Sequence, residues 1–213
     1  MNRQIKKKQK KSTADKVLNF CLILSAVLLA ASIIYNLLAQ LQFAIVSGES
    51  MMPTLQDGQW YLLDTRDSAI NSIKKGDIVV AKKNGKYVVK RVLGIQGDEL
   101  RLNFTEDESA VCLEQKIGEE WKKLDEPYIN EPMEAPPNRY QKTTGEQNIA
   151  LTSKSSYEDS GKLYTYWKCG KDEYAIFGDN RNHSGDSRAY GIVKKDELRG
   201  KAIYFFPKKN IEE

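Results

Sequence analysis

From Val17 to Ala39 the chain reads VLNFCLILSAVLLAASIIYNLLA, without a charged residue. At about 1.5 Å rise per residue this predicts a helix able to cross a hydrocarbon core of about 30 Å. A cleavable signal peptide has a shorter apolar core and small residues at its cut site. Here the uncharged stretch continues to Gly48 without an A-x-A end, which favours a retained anchor. Beyond it no stretch sustains a helical period. Instead QWYLLD (59–64), DIVVAK (77–82), KYVVKRVLG (86–94), EYAIF (173–177) and KAIYFF (201–206) have strand composition. Lys83-Asn84-Gly85 between two of them reads as a hairpin turn.

The pattern therefore predicts a mainly β domain behind one N-terminal transmembrane helix. Residues 103–173 are rich in Glu, Lys, Ser, Asn and Gly, with Pro127, Pro132, Pro136 and Pro137. They read as an inserted, partly irregular, non-catalytic subdomain between two halves of a catalytic core, 40–102 and 174–208.

Charge sharpens this picture. Of 33 basic and 29 acidic residues among 213, residues 1–16 hold seven basic ones (Arg3, Lys6, Lys7, Lys8, Lys10, Lys11, Lys16) and Asp15. The remainder, 26 basic and 28 acidic, has a net charge of −2. The folded part thus lacks the surplus cations of a nucleic-acid interface. A basic block just before the span places residues 1–16 in the cytoplasm, 17–39 in the membrane and the rest outside. Cys21, Cys112 and Cys169 are scattered, there is one histidine, and no CxxC, HExxH or GxGxxG spacing occurs, so neither a zinc site nor a dinucleotide loop is expected. Whether Cys112 and Cys169 pair is left open by the sequence.

Three constellations carry candidate chemistry. In SGESMMPTL (47–55), Gly48 permits close backbone approach and Pro53 stiffens the chain after Ser50. Ser50 alone also reads as an ordinary capping serine. In KYVVKRVLG, Val88, Lys90 and Val92 share one face, which would desolvate the amine, with Arg91 on the other. Lys90 alone also reads as a solvated edge-strand lysine. FGDNRNHSGDSR (177–188) is a dense polar loop able to hold groups by charged hydrogen bonds, or simply a polar turn. A calcium loop would want more carboxylates and a trailing glutamate.

Together, in this order behind one span, these segments resemble the bacterial type I signal peptidases. SGESMMPTL is similar to the family's nucleophile box, VVKRVLGIQGD to its lysine box and FGDNRNHSGDSRAYG to a third catalytic box. DEPYI (125–129) and GKAIYFFP (200–207) match lesser family segments. The single span and compact length resemble the Gram-positive form.

The resemblance implies a signal-peptidase-type β-fold and a membrane-anchored serine endopeptidase that removes signal peptides from exported preproteins, cutting after small residues at −1 and −3. It implies Ser50 as nucleophile, Lys90 as general base and Ser184 as the hydroxyl that orients the amine. Asp179, Arg91, Asp186 and Arg188 form the implied ion-pair framework. Ala44, Val46, Met51, Leu55 and Val89 line the implied substrate pockets. Some family members carry a second oxyanion serine two positions before the nucleophile; here that position is Gly48, with Ser47 one further away. No cofactor or metal is implied, and a monomer in contact with the lipid bilayer is expected, with Phe43, Met51, Met52 and Leu55 as its apolar contact. The competing reading is an inactive relative acting as an assembly factor for surface proteins, which Ser50 and Lys90 argue against. A self-cleaving repressor shares the Ser-Lys pair, but would need a DNA-binding domain where this chain has its apolar span.

Overall fold

The computed structural model describes residues 13–104, 110–134, 156–159 and 162–207. The basic residues at 3–11 and Pro136 and Pro137 lie outside the described residues. The chain divides into two units, residues 1–40 and 41–213.

The first unit contains helix α1 (Thr13–Ala39). Its stretch Thr13–Asn36, with a mean hydropathy of 2.6, is long and apolar enough to cross a membrane. Its polar side chains are accommodated internally: Ser25 Oγ donates to Leu22 O at 2.9 Å and Asn36 Nδ2 to Ser32 O at 2.8 Å. Backbone carbonyls one turn back thus satisfy groups that lipid cannot.

The second unit is mainly β, in two antiparallel sheets. Strands β1 (Leu41–Ile45), β2 (Trp60–Asp64), β3 (Ile78–Lys83), β4 (Lys86–Gly94), β5 (Glu99–Phe104), β6 (Ala110–Ile117), β7 (Glu120–Lys123) and β8 (Met133–Glu134) come first. β9 (Ser156–Asp159), β10 (Lys162–Lys168), β11 (Glu173–Phe177), β12 (Val193–Lys194) and β13 (Leu198–Phe205) follow. The first sheet has the order β1-β2-β13-β3-β4-β11-β12, and the second β7-β6-β5-β10-β9, with β8 on β6.

Asn84 and Gly85, with φ of 50° and 77°, form the two-residue turn joining β3 to β4, with Lys83 opposite Lys86. Positive φ at both positions matches the twist of the strands, which is why Asn-Gly sits there.

Two short α-helices interrupt the mainly β pattern among the described residues of this unit: α2 (Asp67–Asn71) and α3 (Ser187–Tyr190). α2 contributes Ile70 to a cluster completed by Ile73, Val79, Ala81, Val92, Ile176 and Leu198. The second cluster, under β1 and β2, gathers Val46, Met51, Leu55, Tyr61, Leu63, Ile78, Val80 and Ala202. The third joins the sheets through Leu93, Ala175 and Phe177 of the first and Leu100, Leu113 and Trp167 of the second. Trp167 meets Phe177 edge-on with ring centroids 5.3 Å apart, and its indole N–H donates to Ser187 O at 3.1 Å. Cys112 and Cys169 are both free thiols.

Alternation across the register Ile45–Trp60 and Phe43–Leu62–Tyr204 puts these residues on the face of the first sheet opposite Tyr61, Leu63 and Ala202. Phe43 (67%), Trp60 (51%) and Tyr204 (52%) are exposed there, and Phe206 stacks near Phe43 and Tyr204. This corrects the expected apolar contact: Met51 and Leu55, each 1% exposed, are core residues. Their side chains anchor the turn that carries Ser50, and β1, β2 and β13 provide the exposed apolar face.

Candidate active site

Ser50 lies in the turn that follows β1, and the turn is pinned from both sides. Met51 and Leu55 sink into the second cluster, and Leu55 N–H donates to Met51 O at 2.8 Å. Gly48 N–H donates to an Asp57 carboxylate oxygen at 2.7 Å. From the opposite side, Asn180 donates its backbone N–H to Ser50 O at 3.1 Å and its side-chain amide to Glu49 O at 3.2 Å. Among the described residues, nothing accepts from the Ser50 N–H, so this donor is left for a ligand oxygen.

Lys90 comes from the middle of β4 and is only 3% exposed. Its Nζ stands 2.6 Å from Ser50 Oγ and 2.8 Å from Val89 O. Val88 and Val92 both pack in the α2-side cluster. No carboxylate among the described residues pairs with Lys90. Burial pushes its pKa down to about 8, against the smaller pull of Asp186 and Asp179, with Arg188 adding to the lowering. One of the framework cations, Arg188, thus acts on the amine in the same direction as burial.

The acids behind the pair have their own cations. Asp179 accepts from Arg91 Nε at 2.9 Å and Nη2 at 2.5 Å. Asp186, fully buried, accepts from Arg188 Nε and Nη2 at 2.8 and 2.7 Å, from Arg188 N–H at 3.1 Å and from Gly178 N–H at 3.0 Å. These bonds make Asp186 the N-terminal cap of α3 as well as the counter-ion of Arg188. Because each acid is matched, the framework adds no unpaired charge near the amine.

Ser184 is beside this group, its Oγ buried and without a hydrogen-bond partner. The hydrogen bond to Lys90 that the resemblance implies is therefore not made in this arrangement. A neutral Lys90 would accept the Ser50 proton and keep two N–H donors, one for Val89 O and one for an oxygen such as that of Ser184.

Ala44, Val46, Met51, Leu55 and Val89 all belong to one apolar cluster beside the Ser50 turn. Two strand edges border it. β1 pairs only with β2, and β11 covers β4 only along Arg91–Gly94, leaving the Lys86–Lys90 edge without a strand among the described residues.

Three residues of the site were not singled out from the sequence: Asn180, Arg181 and Glu126. Arg181 Nη1 donates to Glu126 Oε2 at 3.0 Å, and a second, shorter bond joins Nη2 to Oε1. Asn180 and Arg181 sit inside the polar loop, and Glu126 inside DEPYI, so segment recognition reaches them, but nothing local separates them from solvated neighbours.

Residues 17–206 match the family described as signal peptidase, peptidase S26. Signal peptidase IB of Staphylococcus aureus (strain Mu50 / ATCC 700699) is 33% identical over 167 residues, covering 76% of this chain and 75% of the relative. Signal peptidase I U of Bacillus subtilis (strain 168) is 29% identical over 208 residues, covering 95% and 92%. A solved signal peptidase I from Enterococcus faecalis V583 aligns with a TM-score of 0.35 at 22% identity, over 61% of this chain and 96% of that one. With a single family match running from the apolar span to the last strand, the chain belongs to the signal peptidases of peptidase family S26, and is a serine endopeptidase.

Proposed function

We propose that Ser50 and Lys90 carry the cleavage of signal peptides by an acyl-enzyme mechanism. The observation that supports it most is the 2.6 Å approach of a buried, carboxylate-free lysine amine to a serine hydroxyl. A lysine with pKa ~10.4 is neutral in only about 4 parts in 10,000 at pH 7, whereas near 8 the neutral fraction is about one in eleven. Ser50 Oγ attacks the scissile carbonyl as its proton passes to Lys90 Nζ. The tetrahedral oxyanion is met by the Ser50 N–H. Collapse expels the amine of the mature protein, which takes the proton from Lys90. Water, deprotonated by the same amine, then attacks the ester and frees Ser50.

Gly48 has no side chain to serve as a second oxyanion donor, and its N–H is occupied by Asp57. In this mechanism the turn supplies one oxyanion donor, the Ser50 N–H.

The preprotein would bind as an added strand between the open edges of β1 and β4, with alternate side chains directed into the cluster of Ala44, Val46, Met51, Leu55 and Val89. That cluster is already closely packed, so only small residues at −1 and −3 fit, and selection works by exclusion. Preproteins are brought along the bilayer, where α1 holds the chain with its N-terminus in the cytoplasm and the exposed face of β1, β2 and β13 contacts lipid. One chain supplies every group named, so a monomer suffices.

The test is incubation of the purified chain with a preprotein and mapping of the cut by mass spectrometry. Ser50→Ala and Lys90→Ala should each abolish cleavage, with no further loss in the double variant. Lys90→Arg should fail as well, because arginine stays protonated. Turnover by Lys90→Arg would refute the base assignment, and binding without cleavage by the wild type would favour an assembly factor.

A further inference from the structure

We infer that Glu126 and Tyr128 are positioning residues for the Ser50–Lys90 pair, holding in place the two guanidiniums, Arg91 and Arg181, that fix the strand and the loop around it. The inference rests on the proposed assignment of that pair. Glu126 and Tyr128 belong to the segment read from sequence as non-catalytic, and they touch neither Ser50 nor Lys90.

The physical chain has two arms. In the first, the Tyr128 hydroxyl donates to Glu126 Oε1 at 2.8 Å, and the Tyr128 ring lies beneath Arg91, with the guanidinium carbon 4.1 Å from its centroid. Arg91 follows Lys90 in β4 and is also held by Asp179, by Gly76 O at 3.0 Å and, more loosely, by Thr54 Oγ1 at 3.4 Å. Burial works against the Arg91 charge, yet Asp179, Tyr128 and Glu126 together keep its pKa above the ordinary value. The side chain is therefore a fixed peg on the strand that carries the amine.

In the second arm, Arg181 has a side chain only 2% exposed and uses Glu126 as its carboxylate partner. Its Nε donates to Gly178 O at 3.0 Å. Gly178 packs against Ser184 and against the carbonyl of Ser50, so Arg181 fixes the backbone on which both serines rest. A buried guanidinium deprived of its carboxylate is costly and moves toward water. It would take Gly178 with it.

Asn182 reinforces the link between insert and loop. Its side chain accepts from Glu134 N–H at 3.0 Å and donates to Pro132 O at 3.2 Å. The segment from Glu126 to Glu134 thus braces the loop at two points, Glu126 on Arg181 and Pro132 with Glu134 on Asn182.

The readout must separate positioning from mere stability. The charged groups that act on Lys90 are Asp186, Asp179 and Arg188, with Ser50 and Val89 as its polar contacts. Glu126 is not among them, so any effect of its loss on the amine comes through displacement of loop and strand, which admits water and relieves the desolvation.

The experiment measures kcat, KM and pH profiles of Glu126→Gln, Tyr128→Leu and Tyr128→Phe in the full chain, per folded molecule by near-ultraviolet circular dichroism. Glu126→Gln and Tyr128→Leu should lower kcat about ten- to a hundredfold with little change in KM. They should also move the acid limb of the profile upward, toward the value of a solvated lysine. Tyr128→Phe keeps the ring under Arg91 and should stay within a few-fold of wild type. If Glu126→Gln does not fold, Tyr128→Leu, which leaves the ion pair whole, carries the test. Wild-type kcat and limb per folded molecule, with any loss of total activity explained by a smaller folded fraction, would overturn the inference. Turnover by Lys90→Ala would instead overturn the assignment on which it rests.

Discussion

Gly178 lies so close to Ser50 that a Cβ placed on it would stand 2.5 Å from the Ser50 carbonyl oxygen. The same Cβ would meet Ser184 Oγ at 2.1 Å. The serine hydroxyl could rotate away, but Ser184 Cβ, also 2.5 Å from the added atom, and the Ser50 carbonyl, which accepts from Asn180 N–H, are fixed by the backbone. Glycine is needed here for proximity, and its conformational freedom is not the point.

Gly178→Ala should therefore displace the Ser50 turn while leaving the two sheets folded. The expected loss in kcat/KM is at least about a hundredfold, the cost of misplacing a reacting group by roughly an ångström. Far-ultraviolet circular dichroism should be unchanged. Near-wild-type turnover would show that Ser50 is not held by this contact.

The pH profile follows from the buried amine. With the Lys90 pKa near 8, log kcat/KM should rise with unit slope up to about pH 8 and then level off. A profile flat from pH 6 to 10, or an acidic optimum, would point to a different base.

The same amine should destabilise the fold at neutral pH. Its folded pKa, about 8, is below its unfolded value of ~10.4, so between the two the unfolded chain holds the extra proton. Stability from this group is lowest below pH 8 and rises as the pH climbs through that window. Lys90→Met should therefore be more stable than wild type at pH 7, on the order of 1–3 kcal/mol, and the difference should shrink above pH 10. Urea unfolding at the two pH values reads this directly.

The exposed face of β1, β2 and β13 gives a prediction about lipid. A chain starting at Gln40 should bind vesicles and cleave faster in their presence. Phe43→Ser combined with Tyr204→Ser should remove both effects and spare cleavage of a soluble peptide without lipid. Equal vesicle binding by the double variant would exclude this face as the contact.

Much of this was legible in the sequence because it depends on local pattern. The 23 uncharged residues from Val17 to Ala39 define a helix by length alone. The Asn-Gly turn fixed the β3–β4 hairpin, and alternation put Lys90 and Arg91 on opposite faces of β4. What escaped depends on distant partners. The start of β13 at Leu198 was missed because Arg199 and Gly200 interrupt its apolar run, and Gly200 is required there by the approach of Asp64 O, 2.4 Å from where its Cβ would be. Met51 and Leu55 looked available for lipid because sequence alone does not reveal the cluster that receives them. Glu126 resembled any solvated acid until Arg181, 55 residues later, was found buried against it.

The last strand, β13, is inserted between β2 and β3, two of the earliest. Synthesis delivers Ser50 and Lys90 long before the strand that unites their sheet, and before the loop at 178–188 that seats them. A growing chain thus carries both reactive groups while having no means of aligning them. Alignment of the pair therefore waits on β13, and a fragment ending short of Leu198 should not be able to cut its neighbours or itself.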